Sequence, residues 1–384
     1  SFGLPTPLIT SLDRLNFKTP TPVQEQTISV ALAGNDVLVS SQTGTGKTAA
    51  FAIPIIAKLI QDQANAVALV ITPTRELASQ VMKTFKDFIS QSLRLKTALL
   101  IGGELINKQL AQLRQQPNIV VGTPGRINDH LKRKSLNLSN VKFLVLDETD
   151  RMLDMGFSIQ INDIINNLPS TRQTLLFSAT LPNNIIKMAQ KYMSNPQRIA
   201  IGSAFNPVEK IKQEVLEIKE IDKYQELLLQ LEKRQGSIVV FVKTKHNTER
   251  VAKKLRLANY EADAIHGDLK HSKREKTILA FRNQKYKILV ATDVAARGLD
   301  IPHIQHVINY DLPQCPEDYI HRIGRTARAG QNGESLSFVS PAEKKQWHAI
   351  NCFMNPSIKK EKPKLKSNNN KHKHVYKAKV KGRR

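Results

Sequence analysis

The chain has 384 residues, 40% of them hydrophobic, which is enough apolar material for the cores of two globular domains. No apolar run approaches the ~20 residues that a membrane-spanning helix requires, so the sequence predicts no such helix. The two cysteines, Cys315 and Cys352, lack the spacing of a metal site. We expect them to be reduced thiols in a cytoplasmic protein.

Positive charge dominates the chain and is concentrated at its C-terminus. The net charge is +25, and residues 359–384 contain 12 Lys and Arg against one acidic residue, Glu361. Such an excess favours a polyanionic partner. Nucleic acid is the leading candidate, and an anionic membrane surface is the alternative, although no amphipathic helix accompanies the basic segment. Because this tail has almost no apolar residues, we predict that it is disordered.

Strand-like apolar runs alternate with helical patterns along most of the chain. Residues 1–35 have a helical pattern that is broken at Pro20 and Pro22. Strands are predicted at 37–40, 67–72, 97–101, 119–122, 143–147 and 174–178, and in a second series at 238–241, 262–265, 288–291, 306–309 and 335–339. Regularity is lost at 194–208, which we interpret as an interdomain linker. The pattern predicts an α/β fold with two parallel sheets flanked by helices.

A glycine-rich segment follows the first predicted strand and precedes a helix. It comprises Ser41, Gln42, Thr43, Gly44, Thr45, Gly46, Lys47 and Thr48. Strand, glycine-rich turn and helix form the context of a phosphate-binding loop, in which backbone N–H groups and the helix N-terminus attract phosphate. Lys47 would reach the β- and γ-phosphates, and the Thr48 hydroxyl would bind Mg²⁺. Ser41 replaces the first glycine of the pattern, and a small residue is compatible with that position.

An acidic motif, Asp147-Glu148-Thr149-Asp150, ends the strand predicted at 143–147. A carboxylate at this place can hold Mg²⁺ opposite Thr48, and its neighbour can polarise an attacking water. A solvated acidic loop is the alternative interpretation. Together with the phosphate-binding loop, the motif favours a site that hydrolyses a nucleoside triphosphate.

The acidic motif resembles the Asp-Glu-Ala-Asp signature of DEAD-box RNA helicases, and the other motifs of that family follow in order over about residues 16–340. Residues 16–24 resemble the adenine-reading Q motif. Residues 73–78, 102–103 and 123–126 resemble the RNA-contact motifs of the first domain, and 178–180 the motif that couples hydrolysis to unwinding. Residues 266–268, 291–300 and 321–328 match the later motifs. Within the family, the chain is most similar to the bacterial RhlE-like group.

The resemblance implies two RecA-like domains, with ATP and Mg²⁺ as cofactors. The implied boundaries are 1–202 for the ATP-binding domain with its Q motif at 1–28, 203–211 for a linker, 212–350 for the C-terminal domain and 351–384 for a basic tail. The implied function is that of an ATP-dependent RNA helicase that unwinds short duplexes locally or remodels RNA–protein complexes. An ATP-gated RNA clamp or annealing chaperone is the alternative, and a DNA helicase is a third.

The resemblance also implies the residues of an ATP site. Those that bind the nucleotide are Phe17, Gln24, Ser41, Gln42, Thr43, Gly44, Thr45, Gly46, Lys47, Thr48 and Asp300. Those that catalyse hydrolysis are Lys47, Asp147, Glu148, Arg325 and Arg328, the two arginines being fingers from the second domain, and Thr48 and Asp147 hold Mg²⁺. Those that couple hydrolysis to unwinding are Ser178, Ala179, Thr180 and His321. For Phe17, a buried core position is the alternative.

RNA is the implied partner, as a single strand or short duplex. The implied contact residues are Pro73, Thr74, Arg75, Gly102, Gly103, Thr123, Gly125, Arg126, Arg274, Thr292 and Arg297. Contacts to phosphates and sugars position a strand but carry little sequence information, so we expect recognition to be largely independent of sequence. We expect a monomer that does not bind membranes, and ribosomal and RNA-decay assemblies are both open as its setting.

Several residues depart from the family pattern. Asn16 replaces a glycine of the Q motif, and Asn tolerates a positive φ. Thr149 replaces the alanine of the signature, His271 stands where a glutamine is common, and Ala327 replaces a common glycine, a change that we expect to be mild. The upstream aromatic residue of the Q motif would fall before residue 1.

Overall fold

The computed structural model describes residues 2–41, 44–61, 66–89, 94–201, 211–296, 301, 303–327 and 332–355, apart from the side chains of His271 and Val294. The site predictions for Gln42, Thr43, Arg297, Asp300 and Arg328 lie outside the described residues. So do most of the predicted linker and the predicted tail from residue 356 onward. Within the described part of the chain, no helix is both long and apolar enough to span a bilayer.

The first half of the chain alternates helices and strands around one sheet. Its helices are α1 Thr6–Arg14, α2 Pro22–Leu32, α3 Lys47–Gln61, α4 Arg75–Phe88, α5 Ile106–Arg114, α6 Pro124–Lys132, α7 Thr149–Asp154, α8 Ser158–Ile165 and α9 Asn183–Tyr192. Its strands are β1 Val37–Ser41, β2 Val67–Ile71, β3 Thr97–Leu100, β4 Ile119–Gly122, β5 Val141–Leu146, β6 Gln173–Ser178 and β7 Gln197–Ile201. All described pairings are parallel, in the order β3-β4-β2-β5-β6-β1-β7.

The second half builds a sheet of the same kind. Its strands are β8 Ile211–Glu217, β9 Ser237–Phe241, β10 Ala262–Ile265, β11 Ile288–Ala291, β12 Ile304–Asn309 and β13 Gly333–Val339. Its helices are α10 Lys223–Glu232, α11 Lys245–Leu257, α12 His271–Arg282, α13 Asp293–Ala296, α14 Pro316–Ile323 and α15 Lys344–Met354, with short 3₁₀ turns at Glu220–Asp222 and Pro341–Glu343. The parallel strand order is β10-β11-β9-β12-β13-β8.

Burial on both faces explains why the central strands are continuous apolar runs. Every residue of β1, β4, β9 and β11 is buried, as expected for parallel strands covered by helices. The core of the first domain divides into one cluster on each side of its sheet, for example around Phe51 and Phe177 on one side and Leu144 and Leu176 on the other. The predicted α/β fold with two helix-flanked parallel sheets is confirmed.

Two strands were missed by the sequence analysis, and both lie at an edge of a sheet. β7 falls inside the stretch 194–208 that was interpreted as a linker, and it pairs only with β1 in the described sheet. β8 pairs only with β13 there. β7 and β8 have a single buried position each, so they lack the apolar run that identified the central strands. At the other end of the second domain, α15 continues to Met354, so residues 351–354 are helical although the predicted tail began at 351.

Strand order determines where the sequence motifs meet. The carboxyl ends of parallel strands lie at one edge of a sheet, which is where such folds place ligands. In the first sheet, β3, β4 and β2 occupy one half, and the segments that follow them are the predicted RNA-contact motifs. β5, β6 and β1 occupy the other half and precede the acidic motif, residues 178–180 and the phosphate-binding loop. The predicted RNA contacts and the predicted ATP site therefore lie at different halves of one edge of the first sheet.

Candidate functional site

The described part of the phosphate-binding loop is held by hydrogen bonds of its own residues. Lys47 begins α3, is 8% exposed, and donates from Nζ to the Ser41 carbonyl at 2.9 Å. The hydroxyls of Ser41 and Thr45 are 3.2 Å apart. Gly44 and Gly46 have φ values of 82° and 92°, which glycine adopts without strain. Lys47 is therefore anchored within the loop, at the place from which it could reach phosphate.

The Q motif contacts this loop directly. Gln24 donates from Nε2 to the Gly46 carbonyl at 3.2 Å, and its Oε1 accepts from the Thr21 N–H at 2.9 Å. Thr21 in turn donates from Oγ1 to the Thr45 carbonyl at 2.9 Å. A Cβ on Gly46 would lie 2.4 Å from Gln24 Nε2 and would displace this amide, and the φ of 92° also favours glycine there. Gln24 Oε1 can still accept one more hydrogen bond, and Nε2 can still donate one more. The contact with the loop is therefore compatible with the predicted recognition of adenine by Gln24.

A cavity of about 190 Å³ lies beside Gln24. Phe17 lines it with 41% of its surface exposed, which excludes the alternative of a buried core phenylalanine, and its ring meets Phe88 edge to face at 5.2 Å. Phe2 also lines the cavity, although the sequence analysis placed the upstream aromatic residue before residue 1. Asn16 has φ 60°, as expected for a residue in place of glycine.

The acidic motif places two carboxylates in opposite electrostatic environments. Asp147 directly follows β5 and is buried, and burial raises its pKa to about 7, with Glu148 adding to the effect and Lys47 opposing it. Burial would also raise the pKa of Glu148, but the positive charges of Arg151, Arg325 and Lys47 outweigh it and lower this pKa to about 2. Glu148 is therefore ionised at neutral pH, whereas Asp147 gains its charge most easily next to a cation.

The residues present fit a Mg²⁺ ion. The buried Asp147 carboxylate is a hard oxygen ligand that a divalent cation would keep ionised. Thr48 lies next to Lys47 in the first turn of α3 and provides the hydroxyl. Among the described residues, no group of three or more His, Cys, Asp or Glu could hold a metal by itself. Mg²⁺ is commonly held by one or two protein ligands together with water and substrate phosphates, so Thr48 and Asp147 are a sufficient protein contribution.

Two residues of this region were given no role of their own by the sequence analysis. Arg151 is 1% exposed and pairs with Glu148 at 2.5 Å; their i,i+3 spacing in the sequence could have indicated the contact. Asp150 accepts hydrogen bonds from the N–H groups of Ala179 at 2.9 Å and Thr180 at 3.0 Å. Ser178 closes the same turn by donating to the Thr180 carbonyl. The predicted coupling residues are thus attached to the acidic motif.

The second domain brings an arginine to the carboxylates. Arg325 is 4% exposed, donates from Nε to the His321 carbonyl at 3.1 Å, and lies close enough to Glu148 to lower its pKa. Burial lowers the pKa of His321, and the negative charge of Asp150 opposes this effect. A small cavity is lined jointly by Arg151 of the first domain and by His321 and Arg325 of the second. The predicted finger and coupling residues therefore meet the acidic motif across the domain boundary.

Arg322 supports this arrangement and was also missed. It is 2% exposed and binds both carboxylate oxygens of Asp293, at 2.5 and 2.7 Å. It also donates to the side chain of Asn309 at 3.1 Å and to the Asp311 carbonyl at 2.6 Å. Ala327, which was expected to be a mild replacement, has φ 55°, a conformation that costs a non-glycine residue about 1 kcal/mol. The replacement is therefore less mild than expected.

A larger cleft of about 470 Å³ lies at the other half of the sheet edge, between the domains. It contains most of the predicted RNA-contact residues, namely Pro73, Thr74, Arg75, Gly102, Thr123, Gly125, Arg126 and Arg274. Gly103 adjoins Gly102, and Thr292 follows β11, where its N–H donates to the Ile265 carbonyl at 3.2 Å. Glu76, Asp129, Met155, Phe157, Gly267 and Leu269 complete the lining and were not predicted.

A salt bridge crosses this cleft. Arg274 of α12 lies with Nε 3.1 Å from Glu76 Oε1 at the start of α4, and both side chains are largely buried. Arg274 also donates from Nη2 to the Ala295 carbonyl at 3.2 Å. The cleft is thus lined by three arginines and two carboxylates, Glu76 and Asp129, and the pairing of Glu76 with Arg274 ties the two domains together.

Two family descriptions match the chain. Residues 21–188 match DEAD/DEAH box helicase, and residues 219–330 match Helicase conserved C-terminal domain. The DEAD-box ATP-dependent RNA helicase CshA of Bacillus subtilis is 44% identical over 350 residues, 91% of this chain and 71% of the relative. ATP-dependent RNA helicase CshA of Listeria monocytogenes is 44% identical over 343 residues, 89% of this chain and 66% of the relative. The assignment to the RhlE-like group is not confirmed.

Solved structures agree with these matches. S. cerevisiae Dbp5 bound to RNA and ADP BeF3 superimposes with a TM-score of 0.84 and 33% identity over 92% of each chain. Mss116p bound to ssRNA and AMP-PNP gives a TM-score of 0.82 and 30% identity over 91% of this chain and 76% of that one. The predicted pair of RecA-like domains is confirmed. Because two helicase descriptions and relatives over most of its length agree, the chain belongs to the DEAD-box family of ATP-dependent RNA helicases.

Proposed function

We propose that this chain hydrolyses ATP to ADP and phosphate in response to RNA, and that it uses this reaction to unwind short duplexes locally or to remodel RNA–protein complexes. The observation that carries the proposal is that the two domains meet in two places along one sheet edge. At one place Arg325 lies close enough to Glu148 to lower its pKa, and at the other the salt bridge of Glu76 with Arg274 crosses the arginine-lined cleft. A ligand at either place favours the same closed arrangement, which links the two sites.

Nucleotide binding is divided between the Q motif and the phosphate-binding loop. Gln24 and Phe17 bind the adenine, and Asp300 contacts the ribose. The residues from Ser41 to Thr48 enclose the phosphates. Lys47 leaves the Ser41 carbonyl and turns towards these phosphates. Thr48 and Asp147 would hold Mg²⁺, which would supply positive charge beside the transferring phosphoryl group. Because Gln24 touches both the loop and the adenine cavity, it connects recognition of the base to the shape of the loop.

Hydrolysis depends on Glu148 and on the arginines of the second domain. With a pKa of about 2, Glu148 is a weak base, so its main role is to accept a hydrogen bond from the attacking water and orient it. Arg325 and Arg328 stabilise charge on the transferring phosphoryl group, for which a planar guanidinium is suited. Since Arg325 belongs to the second domain, hydrolysis requires closure.

The acidic motif transmits changes in the nucleotide phosphates to the RNA-binding cleft. Asp150 is hydrogen-bonded to Ala179 and Thr180, and it lies near His321 of the second domain. The turn at 178–180 therefore responds to both nucleotide and domain position, which gives Ser178, Thr180 and His321 their coupling role.

RNA binds in the basic cleft through its phosphates and sugars. Arg75 and Arg126 of the first domain face Arg274 of the second across the cleft. The remaining contact residues proposed from the motifs are Pro73, Thr74, Gly102, Gly103, Thr123, Gly125, Thr292 and Arg297. Binding of this kind is largely independent of base sequence.

Further properties are proposed with the activity. The first domain extends over 1–202, and the second extends from the start of β8 at Ile211 to the end of α15 at Met354 rather than over 212–350; the matches at 21–188 and 219–330 lie within these bounds. The protein acts as a cytoplasmic monomer. Ribosomal or RNA-decay assemblies are its setting.

ATP hydrolysis measured with increasing RNA, and separately with DNA of the same sequence, tests the proposal. We expect RNA to stimulate hydrolysis strongly and DNA to do so weakly, because the 2′-hydroxyl distinguishes the two strands. Equal stimulation by both nucleic acids would favour a DNA helicase, and no stimulation by either would contradict the proposal.

A further inference from the structure

One fully buried glutamine lies behind the cleft without lining it. Gln109 of α5 has no exposed surface. Its Nε2 donates to the Ile101 carbonyl at 2.9 Å and lies 3.4 Å from the Glu104 carbonyl. These two carbonyls are at either end of the turn that contains Gly102 and Gly103. One amide group therefore holds both ends of the turn.

The other end of the Gln109 side chain reaches the helix of the neighbouring motif. Gln109 Oε1 lies 3.2 Å from Nε2 of His130, which is also completely buried, on α6. Since Gln109 Nε2 faces two carbonyl oxygens, Oε1 must be the acceptor, and His130 Nε2 must carry the hydrogen. His130 Nδ1 then faces the Ser135 hydroxyl at 2.8 Å. The chain of contacts thus has a defined direction from α6 to the glycine turn.

Gln109 connects the glycine turn to α6, and both of these elements carry residues at the cleft. α6 begins at Pro124 and carries Gly125 and Arg126, which line the cleft. In the glycine turn, Gly102 packs against Arg75 so closely that a Cβ would lie 3.0 Å from its Nη2. A movement of either element would shift the arginines that face the cleft.

We propose that Gln109 is a positioning residue for RNA binding, which fixes the glycine turn relative to the first turn of α6 so that Arg75 and Arg126 keep the spacing of successive phosphates. Gln109 itself does not touch RNA. This inference rests on the proposed function. It adds that the geometry of the cleft depends on a buried hydrogen-bond network centred on α5.

The test is Gln109→Met, which preserves the length of the side chain and removes its amide. Gln112→Met is the matched control, because Gln112 lies on the same helix and accepts a backbone hydrogen bond from Leu99 N at 2.8 Å, on β3. Binding of a fluorescent single-stranded RNA is measured by anisotropy with a non-hydrolysable ATP analogue. The KM for ATP and the midpoint of thermal unfolding are measured in parallel.

We expect Gln109→Met to weaken RNA binding about tenfold. This corresponds to the net contribution of about one hydrogen bond, here one that orients the arginines of the cleft. At saturating RNA, where weaker RNA binding no longer affects the linked nucleotide site, the KM for ATP should stay within about twofold of the wild type. Gln112→Met should lower the unfolding midpoint without changing RNA affinity. Should Gln109→Met not fold, His130→Leu removes the link between Gln109 and α6 together with the contact of His130 with Ser135, and it must still weaken RNA binding selectively.

The inference is overturned if the folded variant binds RNA like the wild type, or if RNA affinity and the KM for ATP deteriorate together. It is also overturned if Gln112→Met weakens RNA binding as much as Gln109→Met. A wild type that does not bind RNA at all would instead contradict the proposed function, so the two failures are distinguishable.

Discussion

Replacing Asp150 with asparagine tests the link between the acidic motif and the turn at 178–180. Asp150 is 7% exposed; one carboxylate oxygen accepts from Ala179 N and Thr180 N at 2.9 and 3.0 Å, and the other from Arg151 N at 3.0 Å. An amide offers one acceptor oxygen in place of two. We expect the remaining oxygen to keep accepting from Ala179 N and Thr180 N. The buried Arg151 N–H would then lose its acceptor.

The loss should be about 2 kcal/mol, because a buried donor loses its partner and the remaining bonds are no longer charge-assisted. In a domain of this size, that corresponds to a fall of about 4–8 °C in Tm. The turn also becomes less firmly attached, so fewer strands should be displaced for each ATP hydrolysed.

The assay combines thermal unfolding with the ratio of RNA strands displaced to ATP hydrolysed, both measured on the same preparation. Asp163→Asn is the control, since Asp163 is exposed on α8. An Asp150→Asn protein with the Tm of the wild type would refute the energetic argument. An unchanged ratio with a lowered Tm would refute the coupling role and retain only the structural one.

Three further substitutions test separate parts of the nucleotide site. Glu148→Gln should retain ATP and RNA binding but lower kcat about 10²-fold or more. Because Arg151 loses its ionised partner in this variant, Tm should be measured as well. A kcat near that of the wild type would contradict the proposed role of Glu148. Arg325→Ala should lower RNA-stimulated hydrolysis by about 10³-fold with ATP binding retained, and an unchanged rate would show that the guanidinium acts elsewhere. Gln24→Ala should reduce the preference for ATP over GTP, which competition between the two nucleotides measures; a wild type that hydrolyses both equally would contradict adenine recognition.

The motifs could be predicted from the sequence because their chemistry is local. The glycine-rich segment needs positive φ values at Gly44 and Gly46, and the structure has them. Asn16 adopts the positive φ that was expected of a residue in place of glycine. The central strands were found because burial on both faces makes them continuously apolar, whereas β7 and β8, with a single buried position each, have no such signal.

The partners of the motifs could not be predicted in the same way. The contacts of Glu76 with Arg274 and of Arg322 with Asp293 join residues that are distant in sequence, and no spacing rule connects them. The effect of Ala327 was misjudged because residue type alone does not reveal φ. The positions that bind substrate therefore have sequence signatures, while the side chains that orient them depend on the tertiary fold.

The most direct test of the proposed function is displacement of a labelled strand from a short RNA duplex, with a competitor strand present to prevent re-annealing. The account predicts displacement that requires hydrolysable ATP and falls in parallel with hydrolysis in the Arg325→Ala variant. RNA-stimulated hydrolysis with no displacement, or displacement that proceeds equally without ATP, would contradict it and favour an ATP-gated clamp or an annealing chaperone.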